Sequence, residues 1–153
     1  MERRIVAVIG PGTCDDETAE RAREVGERLA RAGCVVLTGG LGGVMEAASK
    51  GAREAGGLTV GILPDARPET ANPFVELAIA TGLGEARNAV LVNTADALIA
   101  VGGGYGTLSE IALALRSGKR VVSLGSWEPD AAVRAASSPE EAVAVALDRS
   151  VLT

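Results

Sequence analysis

Short apolar segments alternate with longer amphipathic segments along this chain. The apolar segments predict strands over residues 5–9, 34–37, 58–63, 75–79, 97–101 and 120–124. Between them, apolar residues recur every three or four positions, as on one face of a helix. This spacing predicts helices over residues 16–32, 44–55, 85–95, 108–116 and 139–148. Glycines that follow the periodic segments, such as Gly33 and Gly118, are typical of helix ends.

The alternation of strands and helices predicts the fold class. We expect a single α/β domain over residues 1–153, Rossmann-like and three-layered, with a mostly parallel sheet and helices on both faces. The uniformly apolar segment Ala97–Val101 is typical of a strand that is covered on both faces. In such folds, ligands bind at the carboxyl ends of the strands.

Glycine-rich segments follow three of the predicted strands, at residues 10–13, 39–43 and 102–107. Glycine lets the backbone approach a ligand closely, and the start of the next helix offers free N–H groups to an anion. The three segments therefore predict a nucleotide-like or otherwise phosphorylated small-molecule ligand. The candidate ligand-binding residues in them are Gly12, Thr13, Gly39, Gly40, Gly42, Gly43, Gly103, Gly104, Tyr105, Gly106 and Thr107.

Two common nucleotide motifs are absent. The Walker A motif requires a lysine after its last glycine, but Thr107 and Leu108 follow Gly106. The dinucleotide motif fails at its third glycine, where Asp15 stands, and the second predicted strand is followed by Thr38 instead of an acid. We therefore expect neither ATP hydrolysis nor NAD binding, and no resident cofactor.

Composition excludes further classes of chemistry. The chain has no histidine and only Cys14 and Cys34, which argues against histidine-based catalysis and against a metal site. We expect Cys34 to be buried, and nothing supports a reactive thiol at Cys14. The absence of a disulfide framework and of a targeting or membrane-spanning segment predicts a cytoplasmic protein. The net charge of −5 makes nucleic acid an unexpected partner.

Three charged residues near these segments each allow two interpretations. Thr107 and Glu110 have the Thr-x-x-Glu spacing of a capping box, but Glu110 in a first turn is also placed to face a ligand. Arg87, at the start of a predicted helix, is either a solvated surface residue or a ligand contact. Glu46 either lines the site or is an acid that the helix dipole favours.

The segment from Gly103 to Glu110, Gly-Gly-Tyr-Gly-Thr-Leu-Ser-Glu, resembles the P-G-G-x-G-T-x-x-E motif of the LOG family. Members of this family are phosphoribohydrolases that release the base from cytokinin nucleoside 5′-monophosphates. Residues 39–45 resemble the family's earlier glycine-rich turn, which adds Met45 to the ligand-binding candidates. The resemblance implies that Arg87 and Glu110 are the catalytic residues. Glu110 would stabilise the charged ribose and activate water, and Arg87 would keep Glu110 ionised.

The sequence departs from the LOG pattern at two positions. Gly103 replaces the proline of the motif, and Asn88 follows Arg87 where the phosphoribohydrolases usually have lysine. With these residues the chain looks closer to a related branch that includes molybdenum cofactor carrier proteins, and Asn88 becomes a ligand-binding candidate. It is also distantly similar to the nucleotide-fold domain of the DNA-processing protein A family.

Three functions therefore stand as hypotheses. The first is a phosphoribohydrolase of nucleoside 5′-monophosphates. The second is a non-catalytic binder or carrier of a nucleotide or a molybdenum cofactor-like ligand. The third is a DNA-binding or signalling module, against which the acidic charge and the scarcity of aromatic residues argue. The related proteins are dimers, which implies a homodimer or higher homo-oligomer, with the alanine-rich helices over 44–55 and 85–95 as candidate interface elements.

Overall fold

A computed structural model describes residues 3–148 of the chain. All strands in this range belong to one sheet, and every pairing between neighbouring strands is parallel. The strand order is β4-β3-β2-β1-β5-β6-β7. The strands are β1 (Ile5–Ile9), β2 (Val35–Thr38), β3 (Thr59–Leu63), β4 (Leu77–Ala80), β5 (Ala97–Val101), β6 (Arg120–Leu124) and β7 (Arg134–Ala135).

Five α-helices cover the two faces of the sheet within the described range. They are α1 (Asp16–Arg31), α2 (Val44–Glu54), α3 (Arg87–Thr94), α4 (Tyr105–Arg116) and α5 (Pro139–Leu147). Short 3₁₀ turns at Pro68–Thr70 and Gly84–Ala86 complete the connections. None of these helices is long and apolar enough to cross a membrane. The predicted Rossmann-like α/β fold is confirmed.

The strands are apolar on both sides, and alternate residues face different layers. In β1, Val6 and Val8 pack with α1, α2 and α5, whereas Ala7 and Ile9 pack with α3 and α4. All four residues are at most 1% exposed. Side chains on a strand point alternately to opposite faces, so a strand without polar alternation must be covered on both.

Helices α1 and α2 pack unusually closely because both present glycine at their contact. A Cβ atom on Gly51 would lie 1.9 Å from the carbonyl oxygen of Arg23, and one on Gly26 would lie 2.0 Å from that of Ala48. The two backbones are therefore in direct contact at these positions. This contact fixes α2, and with it the loop that precedes α2 at the carboxyl edge of the sheet.

Local sequence signals set several of the element boundaries. The Asp15 side chain accepts a hydrogen bond of 2.8 Å from the Thr18 N–H and so caps α1. Ser138 accepts a bond of 3.1 Å from the Glu141 N–H, followed by Pro139 in the first turn of α5. Gly33, after α1, has φ of +82°. The helix end at Gly33 agrees with the sequence prediction.

Other boundaries differ from the prediction. Residues 85–95 do not form one helix, because the 3₁₀ turn Gly84–Ala86 precedes α3. The strand expected over residues 75–79 begins later, at Leu77. The two-residue strand β7 was not predicted at all, because Arg134 and Ala135 carry no apolar pattern; they form the edge of the sheet and pair only with β6. Such a strand forms through its hydrogen bonds to the neighbouring strand and has no signal in its own sequence.

The strand order places the glycine-rich segments together. β1 lies between β2 and β5, and the chain runs outward from β1 to β4 before it returns to β5 on the other side. The carboxyl ends of β1 and β5 therefore flank the point at which the direction of the connections reverses. In open α/β sheets a crevice forms at this point.

Candidate functional site

A cavity of about 360 Å³ lies at the carboxyl edge of the sheet, between the loops that follow β1, β2 and β5. Helices α3 and α4 form its other walls. Small-molecule sites in proteins have volumes of about 300–1,000 Å³, so the cavity fits a compact ligand. Its lining residues are Gly10, Pro11, Gly12, Leu41, Met45, Arg87, Asn88, Gly104, Gly106, Thr107 and Glu110.

The cavity brings together eight of the residues that the sequence singled out. These are Gly12, Met45, Arg87, Asn88, Gly104, Gly106, Thr107 and Glu110. The other candidates do not line it: Thr13, Gly39, Gly40, Gly42, Gly43, Gly103, Tyr105 and Glu46. Sequence reasoning missed Gly10, Pro11 and Leu41 as lining residues, although all three belong to the glycine-rich segments.

Arg87 opens α3 and is buried, with 9% of its surface exposed. The interpretation as a solvated surface residue is therefore wrong. One terminal nitrogen donates to the Asn88 side-chain oxygen, and the other donates to the Gly39 carbonyl at 3.4 Å. A Cβ on Gly39 would lie 2.7 Å from that second nitrogen, so glycine makes room for the guanidinium group. Burial lowers the pKa of Arg87, and the nearby Glu110 opposes this shift.

Glu110 lies in the second turn of α4 and is only 7% exposed. Among the described residues, no group donates a hydrogen bond to its carboxylate, and no cation lies within 4.0 Å of it. Burial raises the pKa of Glu110 to about 7, although the charge of Arg87 acts in the opposite direction. The carboxyl group therefore titrates near neutral pH.

The capping-box interpretation of Thr107 and Glu110 is wrong. Helix α4 begins at Tyr105, and its cap is Gly104, whose extended backbone has φ of −164°. Thr107 is therefore the third residue inside the helix, where a capping threonine cannot be. Its hydroxyl oxygen is buried and has no hydrogen-bond partner among the described residues. A buried hydroxyl without a partner is costly, so one at a cavity wall marks a position where a ligand would satisfy it.

The N-termini of α2 and α4 differ in how their free N–H groups are used. In α2, the Val44 N–H donates to the Pro11 carbonyl at 3.1 Å. Gly43 has φ of +59°, and a Cβ there would lie 2.3 Å from the same carbonyl. The second glycine-rich segment therefore packs against the first. In α4, no side chain caps the helix, and three residues at its start, Gly104, Gly106 and Thr107, line the cavity.

An aromatic pair flanks the start of α4. The rings of Tyr105 and Trp127 are stacked, with centroids 6.3 Å apart and planes inclined by 24°. The indole N–H of Trp127 donates to the Gly104 carbonyl at 2.9 Å. Trp127 lies in the loop after β6, far along the chain from the glycine-rich segments. Sequence reasoning did not single it out, although it is the only tryptophan in the chain.

No described group of three or more histidine, cysteine, aspartate or glutamate side chains is arranged to hold a metal ion. Both cysteines are free, with Cys34 buried as predicted and Cys14 partly buried. Burial and the neighbouring Asp15 raise the pKa of the Cys14 thiol, which disfavours a reactive thiolate there.

Two solved proteins that are similar to this chain over nearly its whole length are described as binding or carrying the molybdenum cofactor. The chain is 41% identical to a molybdenum cofactor binding protein from the phototrophic bacterium Rippkaea orientalis, with a TM-score of 0.92 and coverage of 100% and 99% of the two chains. It is 39% identical to the molybdenum cofactor carrier protein of Chlamydomonas reinhardtii, with a TM-score of 0.85 and coverage of 94% and 96%. An uncharacterized protein of Archaeoglobus fulgidus is 51% identical over 99% of both chains.

Two more distant matches agree with the resemblances in the sequence. The cytokinin riboside 5′-monophosphate phosphoribohydrolase LOG of Oryza sativa subsp. japonica is 35% identical over 96 residues, which are 60% of this chain and 39% of that protein. DNA processing protein A of Streptococcus pneumoniae shares the fold, with 17% identity, a TM-score of 0.74 and coverage of 93% and 61%. A profile of the SLOG cluster4 family matches residues 3–152, so the chain belongs to the SLOG cluster4 family.

Proposed function

We propose that this protein binds a phosphorylated ligand of the molybdenum cofactor class and does not turn it over. One observation carries the choice between binding and hydrolysis. Glu110 is buried, and no cation lies within 4.0 Å of its carboxylate among the described residues. A hydrolase of the LOG type needs this carboxylate ionised, and the Arg87 guanidinium is bonded to Asn88 and Gly39 instead.

The start of α4 supports binding of the phosphate group. The uncapped N–H groups, the positive end of the helix dipole and the unpartnered Thr107 hydroxyl all favour an anion at the same point. Arg87 adds a buried positive charge to the same cavity. The molybdenum cofactor is a phosphorylated pterin, and solved proteins about 40% identical over nearly the whole chain bind or carry it.

The second candidate function is hydrolysis of a nucleoside 5′-monophosphate, and a specific observation favours it. Arg87 and Glu110 line one cavity, as the LOG resemblance requires, and a carboxyl group with a pKa of about 7 is suited to proton transfer at neutral pH. The two candidates make opposite predictions for AMP. We expect the purified protein to leave AMP intact, as measured by chromatography of the incubated mixture. Release of adenine that Glu110→Gln suppresses would contradict the proposal and establish the hydrolase.

Removing the Thr107 hydroxyl tests the phosphate position. We expect Thr107→Val to weaken the affinity for the molybdenum cofactor about tenfold, because one hydrogen bond to a charged group is lost. Valine keeps the shape of threonine, and the free energy of unfolding should not fall, because the lost hydroxyl has no protein partner. Titration calorimetry under anaerobic conditions measures the affinity, and thermal unfolding measures the stability.

Ser49→Ala is the matched control for Thr107→Val. The Ser49 hydroxyl is also buried without a partner, but it lies in α2 and does not line the cavity. We expect its removal to leave the affinity unchanged. Equal affinities of Thr107→Val and the wild type would place the phosphate elsewhere.

We further propose that the protein is a homodimer and that it is located in the cytoplasm. Helix α2, one of the two expected interface elements, packs closely against α1 within the chain. A cluster of exposed apolar side chains near the edge strand β4, formed by Leu77, Ile79 and Leu83, is a further candidate surface. Sedimentation velocity of the purified protein measures the oligomeric state.

A further inference from the structure

We propose that Tyr105 and Trp127 form a stacking platform for the planar ring system of the bound ligand. This inference rests on the proposed function and deepens it. It assigns the phosphate to the start of α4 and the heterocycle to the aromatic pair beside it. The ligand class is then a compact phosphate monoester that carries a flat heterocycle.

The position of the aromatic residues supports this platform. The chain of 153 residues has only three aromatic side chains, one each of tryptophan, tyrosine and phenylalanine. Two of them meet outside the cavity, beside the lining residue Gly104, and both are exposed. Tyr105 is 85% exposed and Trp127 is 38% exposed. The two core clusters contain no aromatic residue, so this pair does not belong to the packed core. Its position at the edge of the sheet therefore needs another explanation.

The backbone around the rings fixes Trp127. Its indole N–H is bonded to the Gly104 carbonyl at 2.9 Å, and Gly104 lines the cavity. The indole also lies over Gly103, where a Cβ would be 3.4 Å from the indole nitrogen. Gly103 is one of the two positions at which the sequence departs from the LOG motif. The distance of 3.4 Å is one of ordinary van der Waals contact, so the indole lies directly beside the backbone of Gly103.

Tyr105 supplies the second ring and connects the platform to the cavity. It lies between Gly104 and Gly106, both of which line the cavity. Tyr105 does not line the cavity itself and is 85% exposed, and its ring stacks on Trp127. In this proposal, a ligand with its phosphate at the first turn of α4 places its heterocycle against these rings. Stacking between a heterocycle and an aromatic ring contributes a gain in affinity of about five- to 150-fold.

The test uses the intrinsic fluorescence of Trp127, which is the only tryptophan. We expect the molybdenum cofactor to quench this fluorescence on binding, whereas inorganic phosphate, which has no ring, binds without quenching. We expect Tyr105→Leu to weaken the affinity for the cofactor about tenfold and to leave the affinity for phosphate unchanged. Tyr105→Phe keeps the ring and should retain the wild-type affinity.

The outcomes separate this inference from the proposed function. If the wild type binds the cofactor without quenching, and Tyr105→Leu binds it equally well, then the platform is wrong and the binding function stands. If Tyr105→Leu weakens the binding of cofactor and phosphate equally, then the substitution disturbs the phosphate-binding start of α4. The platform is wrong in that case too. If the wild type does not bind the cofactor at all, both proposals fail. Tyr105 is highly exposed, so its substitution should not prevent folding.

Discussion

Replacing Gly51 by alanine is expected to lower the free energy of unfolding by about 3 kcal/mol or more. The added Cβ would lie 1.9 Å from the Arg23 carbonyl oxygen and 3.1 Å from the Glu27 nitrogen, both in the backbone of α1. Backbone atoms cannot move aside as a flexible side chain can, so the two helices must separate. Domains of this size have unfolding free energies of about 5–15 kcal/mol, so the loss is large. Chemical denaturation measures it.

Gly106→Ala is the control for this substitution. Gly106 also lies in a helix, but a Cβ there would have no heavy atom within 4 Å. Alanine is the better helix former, so we expect the unfolding free energy to stay the same or to rise by about 0.5 kcal/mol. Equal stability of Gly51→Ala and the wild type would mean that α1 and α2 are not in backbone contact.

Replacing Glu110 by glutamine is expected to remove a pH dependence of stability that the wild type shows between about pH 4.5 and pH 7. The pKa of Glu110 is about 7 in the folded protein, against an ordinary value of 4.5. Between these values the folded state binds more protons than the unfolded state, so the wild-type stability falls as the pH rises. The difference of pKa corresponds to about 3 kcal/mol, which is lost in full above pH 7. Glutamine does not ionise and avoids this loss.

The measurement compares the unfolding free energies of wild type and Glu110→Gln at pH 4.5 and at pH 8. We expect the variant to gain about 3 kcal/mol on the wild type between the two conditions. Glu76→Gln, which changes an exposed carboxylate, controls for the change of net charge. A constant difference between Glu110→Gln and wild type at both pH values would show that the Glu110 carboxylate is solvated or paired in the folded protein.

The strands at the centre of the sheet could be predicted because their uniformly apolar sequences indicate burial on both faces. Residues Ile5–Ile9 and Ala97–Val101 form strands with the predicted bounds. Burial on both faces requires an unbroken apolar sequence, and that requirement can be read directly. The caps at Asp15 and Ser138 are also local features, since a cap and the N–H group that it binds are three residues apart, although the sequence analysis did not single out Asp15 as a cap. The glycine-rich segments, by their places after strands, also predicted the edge at which the cavity lies.

The burial of Arg87 and the position of Glu110 at the cavity could not be predicted from the spacing of residues along the chain. Arg87 is buried because Gly39, 48 residues earlier, leaves space for its guanidinium group and accepts its hydrogen bond. Glu110 faces the cavity because α4 begins at Tyr105, one turn before the capping box would place its start. Both facts depend on contacts between segments that are distant in the sequence.

The sequence by itself determined the α/β class, the central strands and the carboxyl edge as the place of the site, because these depend on local periodicity and on short-range hydrogen bonds. Only the tertiary structure decided which glycines face the cavity and which pack against other backbone, as Gly43 does against Pro11. It also decided that Trp127 meets Tyr105 and that Glu110 has no cation within 4.0 Å among the described residues. The physical reason is common to these cases. Burial, and the pKa that follows from it, is set by neighbours that the fold supplies and that spacing along the chain does not specify.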